Sequence, residues 1–306
     1  MTETRDVAPI ALFVYNRPWH TRQTVEALQK NDIASESHLF IFSDAPKSAD
    51  SADAVQQVRD YIKTISGFKS ININERVQNL GLANSIIDGV THLSNKFGRV
   101  IVLEDDLATS PFFLTYMNEA LERYADDDRV ISIHGYVYPT RHQLPETFFL
   151  RGADCWGWAT WKRGWELFNR DGQFLFAELK GRKLTHLFDF NGTHPYTKML
   201  EGQVKGNNDS WAVRWYASAF LADKLTLYPG RSLVHNIGND NSGTHCGNSD
   251  TWDATLSKTP IDLHMVPIEP SPQGRQAFEM FLRQCQRGWL KKLSHKLWSI
   301  LNRSGS

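Results

Sequence analysis

Short apolar runs alternate with helix-spaced stretches through the first half of this chain, and few architectures accept that pattern. Pro9–Tyr15 (PIALFVY) is apolar almost throughout and bounded by polar residues, so it reads as a strand buried on both faces. Pro18 then opens a helical stretch with Thr21, Val25 and Leu28 on one side. His38–Ser43 (HLFIFS) reads as a second strand, Ala52–Ile65 as a second helix, and Lys69–Arg76 (KSININER) as a third, more exposed strand. Gly81–Lys96 spaces Ile86, Ile87, Val90 and Leu93 to pack inward. Arg99–Leu103 (RVIVL) reads as a central strand, with Ser110 the expected N-cap of the helix after it, and Val130–His134 (VISIH) as one more strand. Strands joined by helices of this length are βαβ units. The expected fold is α/β, a mostly parallel central sheet with helices on both faces.

The second half is less regular. Arg151–Trp165 is crowded with Gly and Trp, Ser210–Asp223 reads as a helix, and His235–Thr251 is a loop rich in Gly, Asn, Asp and His. Six of the ten tryptophans fall between Trp156 and Trp215. The charges balance, 34 Lys+Arg against 34 Asp+Glu, which argues against nucleic acid as a ligand because phosphate binding calls for a basic excess. Cys155, Cys246 and Cys285 are too far apart for a Cys-x-x-Cys zinc site or a disulfide framework. No apolar run approaches the roughly 20 residues of a membrane-spanning helix. MTETRDVAP has no basic stretch followed by an apolar core, so the expected compartment is the cytoplasm.

Open α/β sheets bind ligands beyond the carboxyl ends of their strands. Three such ends carry polar residues: Asn16-Arg17, Ser43-Asp44 and Glu104-Asp105-Asp106. Three consecutive acids after an apolar strand repel one another and raise one another's pKa. A divalent cation with a taste for hard oxygen ligands, Mg²⁺ or Mn²⁺, relieves that repulsion. The residues alone also allow a simpler reading, in which the acids cap the next helix or face water, Arg17 pairs with a carboxylate, and Asp44 begins the turn towards Pro46.

VLEDDL, preceded by NLGLANSI and by the PIALFVYNRP start, resembles the glycosyltransferases of the GT-A (Rossmann-like) fold. The likeness is to the N-acetylglucosaminyltransferase I-like group and its bacterial relatives, and it covers roughly residues 8–250. It implies a nucleotide-sugar donor, with UDP favoured over GDP as the nucleotide, whose diphosphate is held by a divalent metal. Asp106 is then the expected metal ligand. Glu104 and Asp105 are expected near the ribose and sugar, Asn16 and Arg17 near the nucleotide, and Asp44 near the base. Inverting transfer also requires a base for the acceptor hydroxyl. Asn207-Asn208-Asp209-Ser210-Trp211 is similar to the family's acid-plus-Trp segment, which makes Asp209 the candidate, although Asp209 or Ser210 also suits the N-cap of the helix carrying Trp211 and Trp215. Cys155-Trp156-Gly157-Trp158 resembles the family's Gly-Trp segment beside donor sugar and acceptor. The expected sugar pocket is therefore Trp156, Gly157, Trp158 and Trp211, against the alternative that these rings are core. His245, with His235 second, is the expected additional metal ligand from the Gly/Asn loop.

The resulting organisation is a nucleotide-sugar-binding half (1–140), an irregular Trp-rich acceptor half of the same domain (141–265), and a basic amphipathic tail (266–306). From Arg275 on, seven Lys/Arg accompany the single acid Glu279, interleaved with Phe278, Phe281, Leu282, Trp289, Leu290, Leu293, Leu297, Trp298 and Leu301. Such a helix suits the anionic inner face of a membrane, and equally a docked C-terminal helix. The resemblance implies a glycan or lipid-linked saccharide acceptor in bacterial surface polysaccharide synthesis, lipopolysaccharide or capsule. Two other functions compete. A sugar-nucleotide nucleotidyltransferase would show a Gly-rich phosphate loop after the first strand, which NRPWHT is not. A carbohydrate-binding or inactive homologue would use the Trp cluster without binding a nucleotide. Neither a G-x-G-x-x-G nor a P-loop motif is present.

Overall fold

The computed structural model describes residues 7–240 and 250–286. Ten strands form in chain order: β1 (Ile10–Val14), β2 (His38–Ser43), β3 (Ser70–Glu75), β4 (Arg99–Glu104), β5 (Leu107–Thr109), β6 (Val130–His134), β7 (Thr147–Arg151), β8 (Trp158–Trp161), β9 (Leu225–Pro229) and β10 (Val234–Asn236). The helices are α1 (Pro18–Gln29), α2 (Ala52–Ile62), α3 (Gly81–Phe97), α4 (Phe113–Arg123), α5 (Lys162–Trp165), α6 (Gly172–Gly181), α7 (Thr185–Phe188), α8 (Tyr196–Val204) and α9 (Trp211–Leu221), and residues 272–286 are helical as well.

Eight strands make one sheet in the order β3-β2-β1-β4-β8-β6-β9-β7, and β10 pairs with β5 in a small antiparallel ribbon. The pairs β1–β2, β1–β4, β2–β3 and β6–β9 are parallel, while β8 runs against both β4 and β6, and β7 against β9. The mostly parallel α/β sheet is as expected. Alternating residues of β1 serve opposite faces, as the two-residue period of a strand requires. Ile10, Leu12 and Val14 join a core with Val25 and Leu28 of α1, Val58 and Ile62 of α2, and Met117 of α4. Ala11 and Phe13 join a second core with Ile86, Val90 and Leu93 of α3 and the tryptophans Trp158, Trp165, Trp211 and Trp215. Helices therefore cover both faces.

Two local expectations are corrected. Ser110 does not cap α4: the helix starts at Phe113 after Phe112, and the Ser110 hydroxyl donates to the Ser257 carbonyl. The stretch 151–165 is not irregular throughout, because it contains β8, whose insertion between β4 and β6 joins the two halves in one sheet. The first part of the tail is docked. Phe278, Phe281 and Leu282 are buried, with Phe278 tilted against Tyr138 at 4.5 Å and Phe281 stacked on it at 5.0 Å, and Ser271 donates its N–H to the Phe149 carbonyl. Burying three such side chains contributes about 1.5–3 kcal/mol each. Trp289, Leu290, Leu293, Leu297, Trp298 and Leu301 lie outside the described residues. No helix among the described residues is long and apolar enough to cross a membrane.

Candidate active site at the carboxyl edge of the sheet

Because β1, β2 and β4 are parallel, their carboxyl ends open on one edge, and that edge collects Arg17, Asp44 and Glu104–Asp106. Arg17 occupies the turn between β1 and α1, where Pro18 at the first helical position fixes the start of the helix. Its Nη2 donates to Asp105 Oδ1 and Asp106 Oδ2, both at 2.6 Å, so one nitrogen bridges two carboxylates. Asp105 and Asp106 are nearly buried, at 6% and 8% exposure. The Arg17 Nη1 is buried without a hydrogen-bond partner among the described residues. Burial works against the guanidinium's charge, but the two aspartates outweigh it and hold Arg17 above its usual pKa. Asn16, half-buried, sits in the same turn.

One guanidinium does not balance three acids. Burial first, then the charges of Asp106 and Asp105, push the half-buried Glu104 up to about 8. Burial likewise raises Asp105, to about 6, against the pull of Arg17. The donor set at this edge is hard carboxylate oxygen, which suits Mg²⁺ or Mn²⁺, and its residual negative charge is what a cation would neutralise. Among the described residues no three His, Cys, Asp or Glu side chains converge on one point, so a cation here would need oxygens from its ligand and from water.

The segment after β10 closes over this cluster. Ile237 donates its N–H to the Asp106 carbonyl at 2.8 Å. A Cβ on Gly238 would collide with Asp106 Oδ2 and stand 2.9 Å from Arg17 Nη1, so only a glycine backbone passes so close to the pair. His20 Nε2 lies 3.0 Å from Asp240 Oδ2. His235 sits on β10 opposite Ala108, with its Nδ1 on the Ala254 carbonyl. His245 lies outside the described residues.

Asp44 is buried and committed. Its carboxylate accepts N–H bonds from Ala45, Leu80 and Gly81, all at 2.9 Å, and so ties β2 to the start of α3. The pocket expected from the tryptophans divides. Trp158 and Trp211, at 0% and 3% exposure, stack on each other at 5.6 Å within the α3-side core and do not line an open pocket. The cause is β8, which turns Trp158 inward between β4 and β6. Trp156 is half-exposed beside them, and Gly157 has a left-handed φ of 66° where a side chain would strike Val234. At the start of α9, Ser210 caps the helix by accepting from the Val213 N–H, and the exposed Asp209 carboxylate pairs with Arg214 at 3.2 Å.

A second carboxylate went unnoticed in the sequence. Asp154 follows β7 two residues before Trp156, and its Oδ2 is 3.6 Å from Nε2 of His134, the last residue of β6. No motif marks it. β7 and β8 both run against β6, so residues 152–157 must cross from the amino edge, where β7 ends beside Leu225, to the carboxyl edge, where β8 begins beside His134.

No protein-family profile and no curated protein matches the chain. Among solved structures it is similar to the mannosyltransferase PcManGT from Pyrobaculum calidifontis in complex with GDP-Man and Mn2+, at 13% identity and a TM-score of 0.40 over 71% of this chain and 72% of that one. It is also similar to S. aureus TarS 1-349, at 11% identity and a TM-score of 0.30 over 57% of this chain. The match spans about half, 49%, of that second structure.

Proposed function

We propose that this protein is a glycosyltransferase that draws its sugar from a nucleotide-sugar donor, with the donor's diphosphate bound at the β1/β4 carboxyl edge. The observation that carries this reading is the pair of near-buried carboxylates, Asp105 and Asp106, bridged by a single Arg17 nitrogen beneath the 236–240 segment. A purely structural ion pair needs one acid per guanidinium, and an excess of buried acid raises pKa values for no structural return. A divalent cation settles that imbalance, and the coordination positions it keeps open take the oxygens of a diphosphate. A divalent ion, Mn²⁺ or Mg²⁺, would rest on Asp106 and neutralise the diphosphate as it leaves.

The chain's own residues supply the rest. Arg17 has a buried Nη1 to offer to an oxyanion while Nη2 keeps the aspartates in place. Glu104 and Asp105 are the groups proposed to meet the ribose and sugar, and Asn16 and Asp44 to border the nucleotide. UDP as the nucleotide, inverting transfer, and an acceptor belonging to a bacterial surface glycan or its lipid-linked precursor are proposed on the family resemblance of the sequence.

The test is calorimetric titration of the full chain with UDP and GDP, with Mn²⁺ and then with EDTA, repeated on Asp106→Ala. Binding that requires both metal and Asp106 is expected. Absence of nucleoside diphosphate binding under every condition sinks the donor reading.

A further inference from the structure

Asp154 is the electrostatic centre of a patch of rings that the donor site does not use. Its carboxylate acts on His134, Tyr136, Tyr138, His194, Tyr196 and Tyr228. Four of the surrounding aromatic side chains, Trp156, His194, Tyr196 and Trp252, are half-exposed, so the patch has an open side. They follow one another around it. Trp156 and Trp252 are 6.4 Å apart, Trp252 and His194 6.4 Å, and His194 and Tyr196 4.3 Å. Beneath them, Tyr136 is buried and donates its hydroxyl to the Trp252 carbonyl, holding that ring in position.

The floor of the patch has an unmet demand. His134 is fully buried, and neither ring nitrogen has a hydrogen-bond partner among the described residues. A histidine in a core normally gives one nitrogen to a carbonyl or carboxylate, because an unmade buried hydrogen bond costs about 1–3 kcal/mol. Here Nε2 points at Asp154 across 3.6 Å, short of a hydrogen bond. One Asp154 oxygen is held by the Cys155 N–H at 2.8 Å, the other lies 3.6 Å from the histidine, and the side chain is partly exposed.

This patch borders the donor site. Residues 152–157 lead into β8, whose Trp158 pairs with Val102 of β4 on one side and with His134 of β6 on the other. Half-exposed aromatic faces suit the C–H surfaces of a pyranose, and one carboxylate among them suits a hydroxyl.

We propose that Asp154, backed by His134 and walled by Trp156, His194, Tyr196 and Trp252, forms the subsite for the sugar that receives the transferred residue, with Asp154 as the carboxylate that accepts the proton of its hydroxyl. The assignment rests on the glycosyltransferase reading and moves the base from Asp209, which is exposed and paired to Arg214. In the step, the acceptor oxygen forms a bond to the anomeric carbon of the donor sugar while the bond from that carbon to the diphosphate oxygen breaks. The leaving nucleoside diphosphate keeps the electron pair. The hydroxyl proton passes to an Asp154 oxygen and from there to water.

The experiment uses the full chain with a panel of methyl pyranosides (gluco, galacto, manno and N-acetylglucosamine), followed by tryptophan fluorescence, since Trp156 and Trp252 wall the subsite. The same samples are titrated with UDP and GDP plus Mn²⁺. At least one pyranoside should bind to wild type, and its Kd should rise tenfold or more in Asp154→Asn and in Trp156→Ala but not in Asp209→Asn. The nucleoside diphosphate Kd should stay within twofold of wild type in all three variants. With the bound pyranoside as acceptor, release of nucleoside diphosphate from UDP- or GDP-sugars should fall at least 100-fold in Asp154→Asn through kcat, with the donor KM unchanged. Failure of every pyranoside to bind wild type, or turnover in Asp154→Asn within threefold of wild type, overturns the assignment, and if nucleoside diphosphate still binds, the donor reading survives it. Absence of nucleoside diphosphate binding in wild type overturns both together. Circular dichroism of each variant identifies any that fails to fold, and Asp154→Glu, which keeps the carboxylate, should recover part of the turnover.

Discussion

The two ends of the sheet's carboxyl edge treat buried charge in opposite ways. Beside β1 and β4, charge answers charge: Arg17 binds Asp105 and Asp106, Glu104 is left over, and the group remains short of a cation. Beside β6, Asp154 has no Arg or Lys partner among the described residues and is surrounded by rings, with the pKa of His134 lowered by burial and that of His194 lowered to about 4, chiefly for the same reason. A cluster of the first kind suits a ligand that brings phosphate and metal together. A lone carboxylate among rings suits an uncharged, hydroxyl-bearing one. On one edge, the contrast is the basis for proposing one place for the departing diphosphate and another for the incoming sugar.

The sharpest way to break this contrast is to remove Arg17, the one cation bound to the acids of the first end among the described residues. Arg17→Met leaves acids buried without a counter-charge and should cost about 3–5 kcal/mol, read by chemical denaturation in EDTA. Asp154→Asn, at a half-exposed carboxylate with no ion pair to an Arg or Lys, should cost far less. Equal losses would mean that the two ends are not electrostatically distinct. A similar gap separates two neighbouring tryptophans. Trp158→Ala empties a fully buried position and should cost about 3–5 kcal/mol. Trp156→Ala, at the half-exposed rim, should cost about 1 kcal/mol and show instead in sugar binding.

A smaller effect sharpens the account of the surplus acid. With its folded pKa raised to about 8 from an ordinary 4.5, Glu104 keeps its proton in the folded state over a range where the unfolded chain has lost it. The folded state then binds more protons, so this group's contribution to stability falls as pH rises from about 4.5 through about 8. Glu104→Gln carries no such penalty. Its Tm should match wild type near pH 4 and exceed it at pH 8. A gain at pH 4 that vanishes at pH 8 would reverse the sign and remove the argument for crowding.

How much of this was legible in sequence follows from how local each signal is. β2 matches its expected limits, and α3 differs by one residue at its end, because apolar run length and helical spacing are local properties. The Glu104–Asp106 cluster was legible for the same reason, as acids directly after an apolar strand. Its bridge to Arg17 spans 88 residues and emerged only when β1 and β4 paired. β8 was hidden because WATW is short and set among glycines, and its antiparallel course contradicts the βαβ rhythm that made the first half readable. Asp154 was hidden with it, since its neighbours come from β6, the 194–196 turn and Trp252.

Asp209 carries the smallest expected effect and tests the contrast from outside. Its side chain is 68% exposed, and Arg214, its partner, is also held by the carbonyls of Ser210 and Arg170. With its carboxylate exposed and Arg214 held by two carbonyls besides, the pair contributes about 0–1 kcal/mol, and the N-cap of α9 belongs to Ser210 and survives the substitution. Asp209→Asn should therefore lower stability by less than about 1 kcal/mol, with the loss shrinking at high salt as the pair is screened. It should also leave nucleoside diphosphate release unchanged, whereas a base at this position would make Asp209→Asn the most damaging substitution in turnover and the mildest in stability. Measured side by side with Asp154→Asn, the two pairs of numbers cannot both favour the same residue, because a single acceptor proton needs a single carboxylate within hydrogen-bond reach.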